Sequence, residues 1–464
     1  MTEAFLHYLW QHRLFTGPLV TTDGKEVEVV RVGYYNHNSG PDFSEARVCI
    51  DGIQWVGQVE IHIKATDWNL HRHNADAAYN NVILHLVYIN DGPVVTQLGQ
   101  PMPTVEVQHL IPEDIWSRYS MLIQPQIPIA IPCMLQIQEV PQIVLESTLD
   151  RMLVERLQRK ASDVQRLLDD SRSHWETTCY CMVARYLGGK VNAFAFEMLA
   201  KVTPLSIIAK IKDNPFRIEA LLFGQAGMLE DSFNDEYPQR LQKEYQYLRI
   251  AYKLTPMDAH LWHFFRLRPA NFPTIRIAQL ASLLASSSNL FSRLLDIDTV
   301  DELRRLFDYA TSPYWVNHYR FDVESAPIDK RLGTSFVDIL LINAWIPLLF
   351  EYGVQHDDDT FCDRAVDLLQ QLPAEKNHIV KQWASAHIVA HSAHHSQALL
   401  QLYNEYCTPR LCLQCPIGHH LLSSYRTQFT IPPVLQEDAT EGNNPPVSQE
   451  DSTEGNNHKE ADNE

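Results

Sequence analysis

At 464 residues, the chain is longer than a single hydrophobic core usually supports, so we expect two or three domains. Apolar residues make up 45% of it, which excludes a chain that is disordered throughout. The formal net charge of −19 excludes a surface coated with positive charge for nonspecific nucleic-acid binding, although a local basic groove is compatible with it.

The N-terminal residues and the cysteines both indicate a cytoplasmic protein. Residues 1–15 mix apolar and polar side chains and lack the basic flank and continuous apolar core of a signal peptide. No apolar run approaches the ~20 residues that span a bilayer, so we expect no membrane association. Eight cysteines in so long a chain are too sparse for a secreted disulfide framework, which leaves free thiols and one candidate metal cluster.

The first 110 residues have the pattern of a mixed α/β domain. Apolar residues over 1–15 recur at helical spacing, whereas residues 26–33 alternate between apolar and polar as a strand does. In chain order, the sequence predicts a helix over 1–15, strands over 26–33, 46–50 and 53–64, a short helix over 75–80, and strands over 82–89 and 104–108. The core order is therefore helix, three strands, helix and strand.

Three further regions follow residues 1–110. Prolines punctuate residues 111–141, which we interpret as an extended connection that wraps over the first domain. Residues 142–432 show repeated helical periodicity and predict an α-helical domain. Residues 433–464 repeat QEDATEGNN as QEDSTEGNN without apolar content and predict a disordered acidic tail. The predicted fold class is α+β.

The strand over 53–64 carries the first candidate site. Because successive side chains of a strand point to opposite faces, Glu60, His62 and Lys64 share one face, and the apolar residues between them share the other. If Asp42 opens the preceding strand, its carboxylate lies beside that of Glu60. Two adjacent carboxylates repel unless a cation or a proton lies between them, and oxygen ligands suit Mg²⁺ or Mn²⁺.

A second polar group follows along the chain. Its members are Asp67, His71, His73, Asp76, Tyr79 and His85. The histidines could bind Zn²⁺, orient a phosphate or supply a general base. The alternative is that they cap and bridge locally while the aromatic side chains pack. We interpret the group as a whole as functional, supporting the first site or contacting its substrate.

The pattern Pro41-Asp42, seventeen residues, then Glu60-Ile-His62 resembles the signature of PD-(D/E)xK nucleases, whose core has a similar order of elements. The resemblance implies that Asp42 and Glu60 hold Mg²⁺ or Mn²⁺ and that the third residue helps to activate the attacking water. His62 stands where that family has Lys. Either Lys64 replaces the missing Lys from the same face, or His62 itself binds the metal.

Most of the chain also resembles an uncharacterised bacterial family, domain of unknown function 2851. The matching segments are NHNSGPDF, GQVEIHIKATDWNLHRHNADAAYNNVILH, LLFGQAG, RLRPANFP and YCTPRLCLQCPIG. No activity is assigned to that family, so this resemblance implies no function.

Three cysteines near the C-terminus form the other candidate site. Cys407, Cys412 and Cys415 could hold Zn²⁺ with His419 as the fourth ligand, and a structural zinc is the metal that we prefer. The same C-x4-C-x2-C spacing occurs in plant-type iron–sulfur proteins, where the fourth cysteine is remote, and only Cys362 is even loosely placed for that role. Three buried cysteines without a metal are the remaining alternative.

These sites support three hypotheses. The first is a metal-dependent nuclease or related phosphodiesterase, whose helical domain guides nucleic acid. The second is a non-catalytic scaffold that keeps the fold and binds nucleic acid or a protein; His62 in the Lys position and the acidic net charge favour it. The third is a zinc hydrolase built on His62, His71, His73 and Asp76. The sequence does not indicate an oligomeric state.

Overall fold

The computed structural model describes residues 1–36, 38–123, 130–287 and 289–423. The predicted disordered tail over 433–464 lies outside these residues, as does the end of the predicted helical domain. Within the described residues the fold is α+β, as predicted, because a sheet in the first 110 residues precedes a mostly helical region.

The N-terminal part contains one mixed sheet. Its elements are α1 (Glu3–Gln11), β1 (Leu19–Val20), β2 (Glu26–Arg31), β3 (Tyr34–Tyr35), β4 (Phe43–Ile50), β5 (Ile53–Lys64), α2 (Asp67–Leu70), β6 (Val82–Ile89) and β7 (Thr104–Glu106). The strand order is β1-β2-β4-β5-β6-β7, and β3 pairs with β4. Strands β2, β4 and β5 are antiparallel neighbours, whereas β5, β6 and β7 run parallel. The predicted strands and hairpin are confirmed, and β1 and β3 are additional.

A tight turn and a close backbone contact set the pairing of strands β4, β5 and β6. Asp51 and Gly52 both have positive φ, as a two-residue hairpin turn requires, and they bring Ile50 opposite Ile53. Gly57 lets β6 begin against β5, because a Cβ there would lie 2.5 Å from Ile83 Cγ2 and 2.6 Å from the Asn81 carbonyl oxygen. The resulting parallel register places Glu60 opposite His85 on β6.

The segment between β5 and β6 differs from the prediction. The sequence predicted a helix over 75–80, and the structure has 3₁₀ turns over His73–Ala75 and Ala77–Tyr79, after α2. Asp76 explains the break, because its side chain accepts a hydrogen bond from the Ala78 N–H and so begins a new turn. The segment is therefore a compact series of turns that folds back over the end of the sheet.

The predicted extended connection over 111–141 contains a helix, α3 (Glu113–Ile123). It was missed because prolines stand on either side of it, at 112 and 125, while Ile115, Tyr119 and Leu122 form a buried face at helical spacing between them. The extended interpretation is wrong for these eleven residues. The division of the chain into three folded and connecting regions stays a prediction.

The rest of the described chain is mostly helical, as predicted. Its elements are α4 (Gln142–Asp170), α5 (Trp175–Leu187), α6 (Gly189–Val202), α7 (Leu205–Ile211), α8 (Pro215–Gln225), α9 (Glu236–Tyr252), α10 (Pro273–Ser286), α11 (Leu290–Leu295), α12 (Val300–Arg305), β8 (His318–Arg320), β9 (Val323–Glu324), α13 (Thr334–Leu340), α14 (Ile346–His356), α15 (Asp359–Gln371), α16 (His378–Ser385), α17 (Ala393–Gln401) and α18 (Pro416–Ser423). Helices break at Gly188-Gly189 and at Pro204, because Gly189 has a positive φ and proline has no backbone N–H to continue a helix.

One helical stretch, Thr334–His356, is long and apolar enough to cross a membrane, which corrects the expectation that no run approaches that length. Its most apolar window is 78% buried inside the protein, so packing accounts for its composition. The main core is continuous from α1 and the sheet into the helices, and includes Phe5, Val59, Leu153 and Trp345. A smaller apolar cluster around Trp68 lies under the segment between β5 and β6.

Candidate metal centre

The polar face of β5 is buried rather than open. Glu60 and His62 are 5% and 2% exposed, and His85, which pairs with Glu60 from β6, is fully buried. Ile61 and Val59, between and before them, pack in the main core on the other face. The predicted division of β5 into an apolar and a polar face is confirmed for these positions, and it gathers titratable groups in a site that excludes most water.

Asp42 and Glu60 are held side by side by the backbone. The Asp42 N–H donates to Glu60 Oε2 at 3.1 Å, and the Ile61 N–H donates to Asp42 Oδ2 at 2.9 Å. His7, on α1, brings its Nε2 to 3.2 Å from Asp42 Oδ2. The two carboxyl groups that the sequence paired therefore belong to one hydrogen-bonded arrangement at the start of β4 and the middle of β5.

The turns after β5 add two imidazoles to Glu60 and His62. Glu60 Oε1 lies 3.3 Å from His73 Nε2 and 3.5 Å from His62 Nε2, and His62 Nε2 lies 3.2 Å from His71 Nδ1. Ligand atoms of His62, His71 and His73 all lie within 4.8 Å of one another, and no other such group of His, Cys, Asp or Glu is found among the described residues. We call Glu60, His62, His71 and His73 the histidine–glutamate cluster.

Contacts with the rings of His85, Tyr79 and Trp68 hold the histidines of the cluster in position. His62 Nδ1 lies 2.8 Å from His85 Nε2, and Tyr79 stacks on His73 with ring centroids 3.7 Å apart. Trp68 packs against both His73 and His85 and is itself fully buried. Rings that are packed on their faces have little freedom to turn, so the histidine nitrogens keep their direction.

Burial sets the protonation of the cluster. It raises the pKa of Glu60 to about 9, with a further contribution from the negative charge of Asp42. It lowers the pKa of His62 to about 4 and also lowers the pKa of His73, in both cases helped by neighbouring histidines. At neutral pH without a cation, the imidazoles of His62 and His73 are therefore neutral, and the Glu60 carboxyl keeps a proton that a cation would displace.

Three predicted site residues lie outside the histidine–glutamate cluster, and local hydrogen bonds are what the structure shows for them. The Lys64 side chain is exposed at the end of β5, and its backbone N–H donates to Asp67 Oδ2 at 3.0 Å. Asp76 is exposed and accepts from the Ala78 N–H at 2.9 Å. Asp67 and Asp76 thus fix the turns that carry His71 and His73, whereas the Lys64 side chain is exposed at the end of β5.

His7 is the residue that the sequence analysis missed. It lies on α1, where its Nδ1 is 3.2 Å from the Tyr35 hydroxyl while its Nε2 faces Asp42. Its position on the polar side of an amphipathic helix is compatible with solvent exposure, and only the packing of α1 against β5 brings it to Asp42. No signal in the sequence gives that contact.

A fourth cysteine, Cys133, lies near the three C-terminal cysteines, and the sequence did not predict this. Burial raises the pKa of the thiol of Cys133, which precedes α4, and Cys133 lies near enough to Cys412 and Cys415 for negative charge on them to raise it further. Burial and the same three cysteines raise the pKa of Cys407. His419, predicted as the fourth ligand, instead places its Nδ1 2.9 Å from the Tyr8 hydroxyl. Cys362, in contrast, lies on α15, where its thiol donates to the Phe350 carbonyl oxygen at 3.5 Å.

A cavity of about 900 Å³ lies elsewhere, among α4, α5, α6, α7 and α11. Its lining includes Leu167, Tyr180, Leu205 and Leu290 but none of the predicted site residues. The histidine–glutamate cluster is therefore separate from this cavity.

A comparison with protein families gives one match, a family described as protein of unknown function (DUF2851), over residues 3–378. No curated protein and no solved structure matches the chain. The matched range contains α1, the whole sheet, the histidine–glutamate cluster and Cys133, and it ends before Cys407.

Proposed function

Because this chain belongs to the DUF2851 family of proteins of unknown function, its activity has to be argued from its site, and we propose that it is a metal-dependent phosphodiesterase that cleaves nucleic acid. The histidine–glutamate cluster is the proposed metal site, with Asp42 beside it. We propose that the histidines bind the metal directly, which is one of the roles that the sequence left open for them.

The spacing of the donor atoms carries the proposal. Bonds of about 2.0–2.1 Å from Zn²⁺ to nitrogen and oxygen put neighbouring ligands of a tetrahedron about 3.3 Å apart. The separations that join Glu60 to His73, Glu60 to His62, and His62 to His71 are 3.3, 3.5 and 3.2 Å. The three histidines, of which His71 is exposed and the other two are buried, have ligand atoms within 4.8 Å of one another, and Glu60 Oε1 lies beside two of them. We propose that these four donors hold one small cation.

The donor types favour a transition metal over Mg²⁺. Imidazole nitrogens suit Zn²⁺ and other first-row metals, whereas Mg²⁺ takes oxygen ligands and keeps several waters. We therefore propose Zn²⁺ or Mn²⁺ in the cluster. The oxygen-only Mg²⁺ site expected on Asp42 and Glu60 has less support, because Glu60 Oε1 faces two imidazoles.

The remaining residues of the site have separate roles in the proposed reaction at the phosphate. A bound cation would polarise a phosphoryl oxygen of the substrate and lower the pKa of a water molecule bound to that cation. Asp42, held by the Ile61 N–H and by His7, is the carboxylate placed to accept the proton of that water. His85 and Tyr79 keep His62 and His73 in position, so that little motion is needed when substrate binds.

The order of strands supports a nuclease-like phosphodiesterase in particular. Asp42 directly precedes β4, Glu60 and His62 lie on β5, and a parallel strand, β6, follows through a crossover. These positions agree with the PD-(D/E)xK resemblance, but the helix that it implies between the last two strands is replaced here by the four-residue α2 and two 3₁₀ turns. His62 stands in the position of the Lys of that signature. We propose that His62 binds the metal there, whereas the Lys helps to activate the attacking water.

A second candidate function is a scaffold in which the same metal is structural. The low exposure of Glu60, His62 and His73, at 5%, 2% and 8%, favours it, because structural metal sites are closed. In that case the protein binds nucleic acid or a protein partner without turnover.

One experiment separates the two functions. The purified chain is incubated with labelled single- and double-stranded DNA and RNA in Zn²⁺, Mn²⁺ or Mg²⁺, beside Glu60→Gln and the matched control Lys64→Gln, whose side chain is exposed. Cleavage by wild type and Lys64→Gln but not by Glu60→Gln supports the phosphodiesterase. Stoichiometric metal without cleavage of any substrate supports the scaffold, and absence of bound metal overturns both.

A further inference from the structure

Four buried cysteines lie near one another where the C-terminal part of the described chain packs on the segment before α4. Cys133, Cys407, Cys412 and Cys415 are each between 6% and 8% exposed, none forms a disulfide, and all belong to the same core. Cys133 lies far upstream of the other three, so only the fold brings it to them. The arrangement supplies the remote fourth cysteine that the C-x4-C-x2-C spacing requires.

The turn that carries Cys412 and Cys415 packs closely against the start of α18. A Cβ on Gly418 would lie 2.0 Å from the Cys412 carbonyl oxygen, so only glycine allows α18 to begin this close to Cys412. Burial raises the pKa of the Cys415 thiol, and hydrogen bonds from the backbone N–H groups of Gly418 and Ile417 act in the opposite direction. N–H groups aimed at a cysteine sulfur stabilise its thiolate, the form that binds metal.

The sulfurs are too far apart for a single zinc ion. Zn–S bonds of about 2.3 Å put the sulfurs of a tetrahedral site about 3.8 Å apart. Among the described residues, no three of these four cysteines have their sulfurs within 4.8 Å of one another. A cluster of several irons holds its cysteines on different metal atoms and so accepts wider spacing.

We propose that Cys133, Cys407, Cys412 and Cys415 bind an iron–sulfur cluster. The cluster joins the segment before α4 to the turn before α18. Helix α18 in turn contacts α1, because His419 Nδ1 lies 2.9 Å from the Tyr8 hydroxyl, next to His7 in the chain. The iron–sulfur cluster thereby fastens the C-terminal part of the described chain to the helix that carries His7.

The test is metal analysis of the whole chain purified without oxygen. We expect iron and acid-labile sulfide in equal amounts, a visible charge-transfer absorption, and no stoichiometric zinc on these thiols. Cys133→Ser should lose the absorption and the bound iron, whereas Cys181→Ser, a buried cysteine of α5 outside the four, should keep both.

Three outcomes overturn the proposal: wild type without iron, zinc in place of iron, or full iron retention in Cys133→Ser. The wild-type measurement does not depend on whether the variants fold. The proposal is also independent of the histidine–glutamate cluster, because zinc or manganese there is measured in the same analysis and is expected to survive in Cys133→Ser if that variant folds, as judged by circular dichroism.

Discussion

The imidazoles of His62 and His85 meet at 2.8 Å, between Nδ1 of His62 and Nε2 of His85. This contact decides which nitrogen of His62 faces Glu60, because a ring that gives its Nδ1 to His85 has only Nε2 left for a cation. For that Nε2 to offer a lone pair, the ring proton sits on Nδ1 and is donated to His85. His85 would therefore orient His62 toward the proposed metal.

We expect His85→Ala to weaken metal binding without removing a ligand. Loss of a group that orients a metal-bound histidine typically costs about 10–100-fold in affinity. The measurement is competition for Zn²⁺ against a chelator of known affinity, at constant pH, with Lys64→Gln as the control of unchanged affinity. An His85→Ala protein that is folded and binds Zn²⁺ as tightly as wild type would contradict the role given to His85.

Metal affinity should rise with pH through the neutral range, and Glu60 should be the cause. The pKa of Glu60 is raised to about 9, so below that pH a cation must displace its proton. The pKa of His62 is lowered to about 4, so that histidine does not compete at pH 6–8. One displaced proton corresponds to about tenfold in affinity per pH unit. Titrations at pH 6, 7 and 8 should give this slope for wild type and a flat, weaker response for Glu60→Gln.

Gly57→Ala should destabilise the sheet and the site together. The added methyl group would meet Ile83 Cγ2 at 2.5 Å and the Asn81 carbonyl oxygen at 2.6 Å, where β6 begins. Forcing a methyl group into packed structure costs about 1–3 kcal/mol. Urea unfolding measures the loss, and Gly333→Ala is the matched control because nothing lies within 4 Å of its added Cβ. Equal stability of the two variants would show that β6 can move away without cost.

Stability should also rise with pH above neutrality because of Lys160. Burial in α4, with a smaller contribution from Arg156, lowers its pKa from 10.5 to about 7. Between these values the unfolded chain binds a proton that the folded chain does not, so the free energy of unfolding increases with pH by up to ~1.4 kcal/mol per unit. Below pH 7 both states are protonated, and the full cost of burying the charge remains.

Lys160→Met isolates this effect. Other groups titrate in the same range, so the informative quantity is the difference between wild type and variant in urea unfolding at pH 7, 8 and 9. We expect the variant to be more stable at pH 7 and the difference to shrink as pH rises. A difference that does not change with pH would mean that Lys160 keeps its ordinary pKa in the folded protein.

Much of the fold and half of the site follow from local patterns. Alternation over 53–64 determines that Glu60 and His62 share a face, because a strand turns each successive side chain by half a revolution. The Asp51-Gly52 turn determines the register between β4 and β5 as far as Ala46, and an irregularity between Phe43 and Ala46 then shifts that register where Asp42 meets Glu60. Glycine and proline punctuation determines where the helices of the second part begin and end. Each of these is a property of a few consecutive residues.

The contacts that complete the two candidate sites depend on the tertiary structure instead. His71 and His73 lie in irregular turns, whose direction is set by how Trp68 packs and by hydrogen bonds to Asp67 and Asp76. His7 reaches Asp42 only because α1 packs on β5. Cys133 meets Cys407, Cys412 and Cys415 across a separation in sequence that no periodicity spans. Periodicity gives the face on which a side chain lies, whereas the partner it meets depends on which faces bury apolar surface against each other, and that is a property of the whole chain.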